Sequence, residues 1–105
     1  SLIKKSFMKR HNSLNIHAGE ILKYEVIEPA NLTIGEASKY LNTTRLTLSN
    51  ILNGKSGITP NMALRISFVF GGSPDFWLRL QRNYELIQAE KDFDEKNLKK
   101  FLVNS

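Results

Sequence analysis

A chain of 105 residues and 12.0 kDa holds one domain and has no room for two. It contains no cysteine, which excludes a disulfide framework, a thiol nucleophile, zinc fingers and iron–sulfur ligation. With 15 Lys and Arg against 10 Asp and Glu, a net charge of +5 and a pI near 9.6, the chain favours a polyanionic partner, chiefly nucleic acid or an anionic membrane.

Residues 1–16 carry Lys4, Lys5, Lys9 and Arg10 without a clean period and read as a basic arm. No apolar stretch of roughly 7–15 residues follows these cations, which argues against a secretory signal. No run approaches the ~20 apolar residues of a membrane span, and the expected compartment is the cytoplasm. Residues 18–28 set Ile21, Leu22, Val26 and Ile27 mostly on one side of a helix that Pro29 ends. Thr33 and Glu36 form a Thr-x-x-Glu capping box, which predicts a second helix running to about Leu41. Gly35 inside it costs roughly 1 kcal/mol against alanine, so this helix relies on packing. Asn42 tolerates the left-handed conformation needed to leave a helix sharply. Thr43 and Thr44 offer the next cap, and the helix over 45–53 sets Leu48, Ile51 and Leu52 at i, i+3 and i+4 before Gly54 stops it. Thr59-Pro60 starts another helix, with Met62, Ala63, Ile66 and Phe70 on its inner face and Gly71-Gly72 at its end. Ser73-Pro74 repeats that design, and Phe76, Trp77, Leu80, Tyr84 and Ile87 then form a wide apolar stripe. The tail over 88–105 is strongly charged but keeps Phe93, Leu98, Phe101 and Leu102, which suits a last helix capped at Asp94. No strand-type alternation or hairpin dipeptide competes with these readings. The class is all-α, with five or six short helices in a compact domain over 17–87, between the arm and the tail.

Residues 33–53 are the informative stretch: a short helix, a tight turn led by Asn42 and a second capped helix. That is the layout of a helix-turn-helix, whose second helix enters the DNA major groove. Ser38 is small enough to let the two helices close on one another, and Ala37, Leu41, Leu48 and Ile51 supply the apolar seam. At about 100° per residue, Leu48, Ile51 and Leu52 point one way and Leu46 and Asn50 point nearly opposite, with Thr47 and Ser49 on the flanks. Arg45 suits guanine O6 and N7, Asn50 suits adenine N6 and N7, and Leu46 suits a thymine methyl. Thr44, Asn53 and Lys55 stand where phosphate contacts set register. The competing reading of this face is a solvated surface without a ligand.

The motifs in order resemble those of the HigA family of antitoxins, within the XRE group of phage-repressor-like proteins. His17-Ala18-Gly19-Glu20-Ile21-Leu22 is similar to that family's HPGEIL opening, and Glu28-Pro29 closes the first helix in the same way. Ile51 to Lys55 and Gly57 to Arg65 resemble its ILNGK and GITPEMALR segments, and Ser73 to Leu78 with Leu80-Gln81 resembles its SPEFWLNLQ. The likeness spans residues 15–87. Three positions depart from it: Ala18 replaces proline, Ile34-Gly35 replaces Gln-Ala, and Asn42 replaces glycine. The glutamine reaches DNA in related repressors and Ile34 has no hydrogen-bonding group, so Lys39 or Thr33 would anchor the phosphate instead. The resemblance implies a lambda-repressor-like fold and a homodimer on an inverted repeat of double-stranded DNA over its own operon. It also implies a cognate toxin of RelE-like fold that cuts messenger RNA and is blocked by direct binding. Trp77, Leu80 and Tyr84 would then be shared between the core and the dimer interface, with plain core packing as the competing reading.

An enzyme is not expected, nor a cofactor, a metal, a small-molecule substrate or a membrane partner. His11 and His17 are six residues apart, lack a carboxylate companion and read as surface residues. Glu25 and Glu28 fit a solvated helix face. The glycines at 54, 57, 71 and 72 read as helix stops, without the pattern of a phosphate loop. Besides the antitoxin, two readings stand: a phage-type repressor without a toxin, and a helical interaction module that has lost DNA binding, for which Ile34 is the best argument.

Overall fold

The computed structural model describes residues 16–102, so the arm expected over 1–16 lies, but for Ile16, outside the described residues. Among the described residues there is no strand. Helix α1 (Ala18–Ile21) runs directly into a π-helical segment (Leu22–Ile27), followed by α2 (Ile34–Tyr40), α3 (Arg45–Leu52), α4 (Pro60–Phe70) and α5 (Pro74–Asp92). The all-α class and the helix-turn-helix over 33–53 are as the sequence led us to expect.

Local chemistry sets the helix starts. The Thr33 hydroxyl accepts from the Glu36 backbone N–H at 3.0 Å, and the Glu36 carboxylate accepts from the Thr33 N–H at 2.9 Å. That second bond holds the Glu36 carboxyl below its ordinary range. Thr44, Thr59 and Ser73 cap α3, α4 and α5 by accepting from the N–H three residues on, at 3.0, 3.2 and 3.2 Å. Such caps each stabilise a helix by about 1 kcal/mol. Asn42 leaves α2 at φ 52°, and Gly54 leaves α3 at φ 75°.

The core forms where the inner faces meet. Ala37 and Ser38 of α2, with Leu41 just past its end, close on Leu48, Ile51 and Leu52 of α3, all buried. Ile34, despite its place in the exposed first turn of α2, is partly buried against the same cluster. Met62, Ala63 and Ile66 of α4 and Phe76, Trp77 and Leu80 of α5 complete the core. α1 seats closest of all. A Cβ on Gly19 would run into the carbonyl oxygen of Ile51, so only glycine lets the start of α1 lie on the end of α3.

Four features differ from the expectation. The first helix widens to π-helical form over 22–27, with the Glu28 N–H bonded to the Lys23 carbonyl at 2.9 Å. This five-residue step puts Leu22 and Ile27 on one side, both buried. The apolar stripe of α5 turns outward before Ile87, which is exposed, and the inward place goes to Gln81. Its side-chain carbonyl accepts from the Ile58 N–H at 3.3 Å. The helix capped at Asp94 does not form. Asp94 instead accepts from the Lys96 N–H at 2.9 Å, and every side chain from 93 to 102 is exposed. With nothing to bury its apolar groups against, so short a helix has no source of stability.

His17 is the fourth. It is buried rather than on the surface, with Nδ1 accepting from the Gly19 N–H at 2.9 Å as the cap of α1. Its ring meets Tyr84 of α5 edge-on, with centroids 5.0 Å apart. Burial pushes the imidazole below its ordinary value, and the carboxylates of Glu20 and Glu85 only partly oppose this.

Gly19→Ala should lower the unfolding free energy by about 1–3 kcal/mol in urea titration, the usual cost of overpacking. The His17 linkage has a definite sign. A base with a lowered folded pKa adds stability that is complete above its unfolded value of about 6.5 and is lost as pH falls through the folded value. The urea midpoint should therefore fall between neutral and mildly acidic pH. His17→Asn, which keeps a capping acceptor, should flatten that part of the profile.

Candidate nucleic-acid interface

α3 carries the candidate surface because its inner side is fully committed. Leu48, Ile51 and Leu52 are buried, and the residues between them face outward. Leu46 is 71% exposed, an apolar side chain with no core to join. Arg45 and Thr47 are exposed, and Asn50 is half-buried one turn further along. Leu46, Asn50 and Asn53 follow one another at helical spacing on this outer side.

The end of α3 nearest the turn is held by two threonines. The Thr44 hydroxyl accepts from the Thr47 N–H and donates to the Thr47 hydroxyl at 2.8 Å, which leaves the Thr47 proton free to donate outward. At the other end Asn53 Nδ2 donates to Ser49 Oγ at 3.2 Å. Lys55 is exposed just beyond, its backbone N–H bonded to the Asn50 carbonyl at 2.8 Å.

Thr33 and Lys39 are both exposed but sit at opposite ends of α2, about 9 Å apart along its axis. They do not form one phosphate site. Arg45 instead lies beside the α2 start, its Nε, Cζ and Cδ 3.4, 3.6 and 3.8 Å from where a Cβ on Gly35 would be. That is ordinary van der Waals distance, so Arg45 rests along the first turn of α2 with space left for a Cβ at 35.

Trp77 and Leu80, read as shared with a dimer interface, are 4% and 8% exposed within their own chain. They have almost no surface left to offer a second protomer. Tyr84 is half-buried against His17.

Arg65 has a role that sequence reading missed. From α4 its guanidinium donates to the carbonyls of Leu41 at 3.2 Å and Asn42 at 2.8 Å. These belong to the end of α2 and the left-handed turn, so one side chain pins the angle between the two helices. An arginine among the inward residues of α4 was the available signal. A cleft of about 350 Å³ beside the end of α3 also brings Lys23, over the Tyr24 ring at 5.0 Å, near Asn53. No helix among the described residues is long and apolar enough to cross a membrane, and among them no three acidic, His or Cys side chains are placed to hold a metal.

A helix-turn-helix family model matches residues 23–77, more than half of the chain. This chain belongs to the helix-turn-helix family. The HTH-type transcriptional regulator YddM of Escherichia coli K12 is 34% identical over 85 residues, which cover 81% of this chain and 89% of YddM. The antitoxin GraA superposes with a TM-score of 0.78 at 30% identity, covering 83% of this chain and 97% of GraA. The Pseudomonas aeruginosa antitoxin HigA, solved with the higBA promoter, superposes with a TM-score of 0.73 at 30% identity, covering 75% of this chain and 86% of that one. The likeness to HigA antitoxins and the lambda-repressor-like fold are thus both upheld.

Arg65→Ala removes a charged donor from two carbonyls and should cost about 1.5–3 kcal/mol in chemical denaturation. Amide exchange over residues 41–44 should accelerate more than exchange in α5.

Proposed function

We propose that this protein is the antitoxin and autorepressor of a type II toxin–antitoxin pair. It acts in the cytoplasm as a homodimer, binds an inverted repeat over its own operon, and neutralises a RelE-like messenger-RNA-cleaving toxin by direct contact. The observation that carries the reading is the outer face of α3. It presents arginine, asparagine, threonine and an exposed leucine on a helix whose other face is locked in the core. The likeness to an antitoxin solved with its promoter supports the same reading.

In this scheme α3 lies in the major groove. Arg45 grips guanine, Asn50 grips adenine, Leu46 covers a thymine methyl, and Thr47 donates its free hydroxyl proton to a base edge. Thr44, Asn53 and Lys55 hold one stretch of backbone and fix the register. Thr33 and Lys39, at the two ends of α2, touch separate phosphates. One helix of this length reads only a few base pairs, and two half-sites about 34 Å apart supply the rest of the affinity.

Fluorescence anisotropy at two salt concentrations, with a duplex from upstream of the gene and an unrelated duplex of equal length, tests the reading. The upstream duplex should bind tighter by about 10³ or more, with strong salt dependence. Arg45→Ala and Asn50→Ala should each cost about 1–3 kcal/mol and relax specificity, whereas Lys55→Ala should weaken all duplexes alike and reduce the salt slope by about one. Equal, weak binding to both duplexes would sink the repressor and leave a helical interaction module.

A further inference from the structure

The cleft of about 350 Å³ beside the end of α3 is lined by hydrogen-bond donors that its own chain leaves unused. The start of the first helix gives it His17, Glu20 and Lys23, and the end of α3 gives it Asn53 and Gly54. His17 is only 8% exposed, and its Nδ1 accepts from the Gly19 N–H. The proton of the neutral ring is therefore on Nε2. Among the described residues nothing accepts that proton, and the nitrogen is not sealed in the core, so it opens on the cleft that the ring lines. The Lys23 ammonium stands over the Tyr24 ring at 5.0 Å, a contact that steadies it without neutralising its charge. Among the described residues Lys23 has no ion pair. Asn53 Nδ2 gives one proton to Ser49 Oγ and keeps a second.

We propose that this cleft is a phosphate site, with Lys23 as its cation and His17 Nε2 and Asn53 Nδ2 as neutral donors, and that it receives a phosphate of the operator backbone. This rests on the DNA binding proposed above and adds to it an anchor from the first helix. The position favours that source. Asn53 belongs both to the cleft and to the groups assigned to the backbone, and Lys55 follows it by two residues. A metal ion is poorly served, since Nδ1 is engaged and Glu20 is the one carboxylate on the wall. Glu20 also opposes an anion and offsets the charge of Lys23. A free phosphate therefore gains little here, whereas a phosphate on a strand already held at Lys55 arrives at high effective concentration.

Anisotropy with the upstream and unrelated duplexes, at two salt concentrations, reads the cation. Lys23→Ala and Lys23→Gln should each weaken both duplexes alike, by about threefold or more, and reduce the salt slope by about one. Glu20→Gln should tighten both. Helical circular dichroism of the three variants should match the wild type, since Lys23 and Glu20 lie outside the core.

An NMR titration of the His17 ring, free and in the complex, reads the cleft itself. A phosphate beside Nε2 favours the imidazolium, so the midpoint should rise when DNA binds. Glu20 and Glu85 act on the ring in both states and do not produce that rise. Lys23 variants that bind like the wild type, with an unchanged slope and no rise at His17, would overturn the site and leave the repressor standing. Weakening by Lys23→Ala without a rise at His17 would confine the contact to Lys23 and overturn the cleft. A wild-type protein that binds both duplexes weakly and equally would sink the repressor. Inorganic phosphate titrated onto the free protein then decides the site. A rise at His17 would keep the phosphate site and assign it to a free ligand, and no rise would overturn it as well.

Discussion

A helix of eight residues does not persist alone in water, so α3 exists because of what is packed behind it. Three elements hold it. α2 closes on its inner face across Ala37, Ser38 and Leu48, all buried to within a few per cent. α1 lies on its end, at a distance that only the bare backbone of Gly19 permits. α4 reaches across with Arg65 and ties the preceding turn by its carbonyls. Remove any one, and the helix loses either its depth in the core or its angle to α2. In the function proposed above, side chains placed on base edges tolerate little error, so rigidity behind the face would be part of the recognition chemistry.

The same packing explains why the outer face is free to be polar. Apolar burial is supplied by one side of α3, and the opposite side contributes nothing to the core. Its residue types are then open to selection for a ligand. Ile34 shows the converse. It stands at the start of α2 and is partly buried against the core, so that position serves packing rather than a polar contact. Arg45 lies along the first turn of α2 beside Gly35 and brings a cation to the same edge of the motif from the other helix.

Much of this was legible in the sequence because the rules involved are local. Thr33, Thr44, Thr59 and Ser73 act within three residues of themselves, and Asn42 needs only its own φ of 52°. The inner residues of α3 follow from helical period alone. What escaped depends on residues far apart in the chain. His17 reads as a surface histidine until Tyr84 closes over it, and Gln81 reads as polar until the Ile58 N–H turns to it, 23 residues away. Arg65 finds its acceptors 23 and 24 residues upstream. The π-helical stretch depends on a five-residue bond that a 3.6-residue period does not anticipate. The tail helix failed for a related reason: apolar residues at helical spacing form a helix only where something covers them.

α5 shows where such reading reaches its limit. The family resemblance implied that Trp77, Leu80 and Tyr84 on this helix are shared between the core and a dimer interface, with plain core packing as the competing reading. The core takes two of them, since a single chain of this size has few aromatic groups with which to close its interior. What remains exposed is the opposite side, where apolar residues are sparse and charges change sign along the axis. Such a side looks like ordinary solvated surface when each residue is weighed alone. The 19 residues of α5 extend a body measuring 56 × 30 × 21 Å. Large side chains therefore report the core first, because a chain of this size must use them to close its own interior.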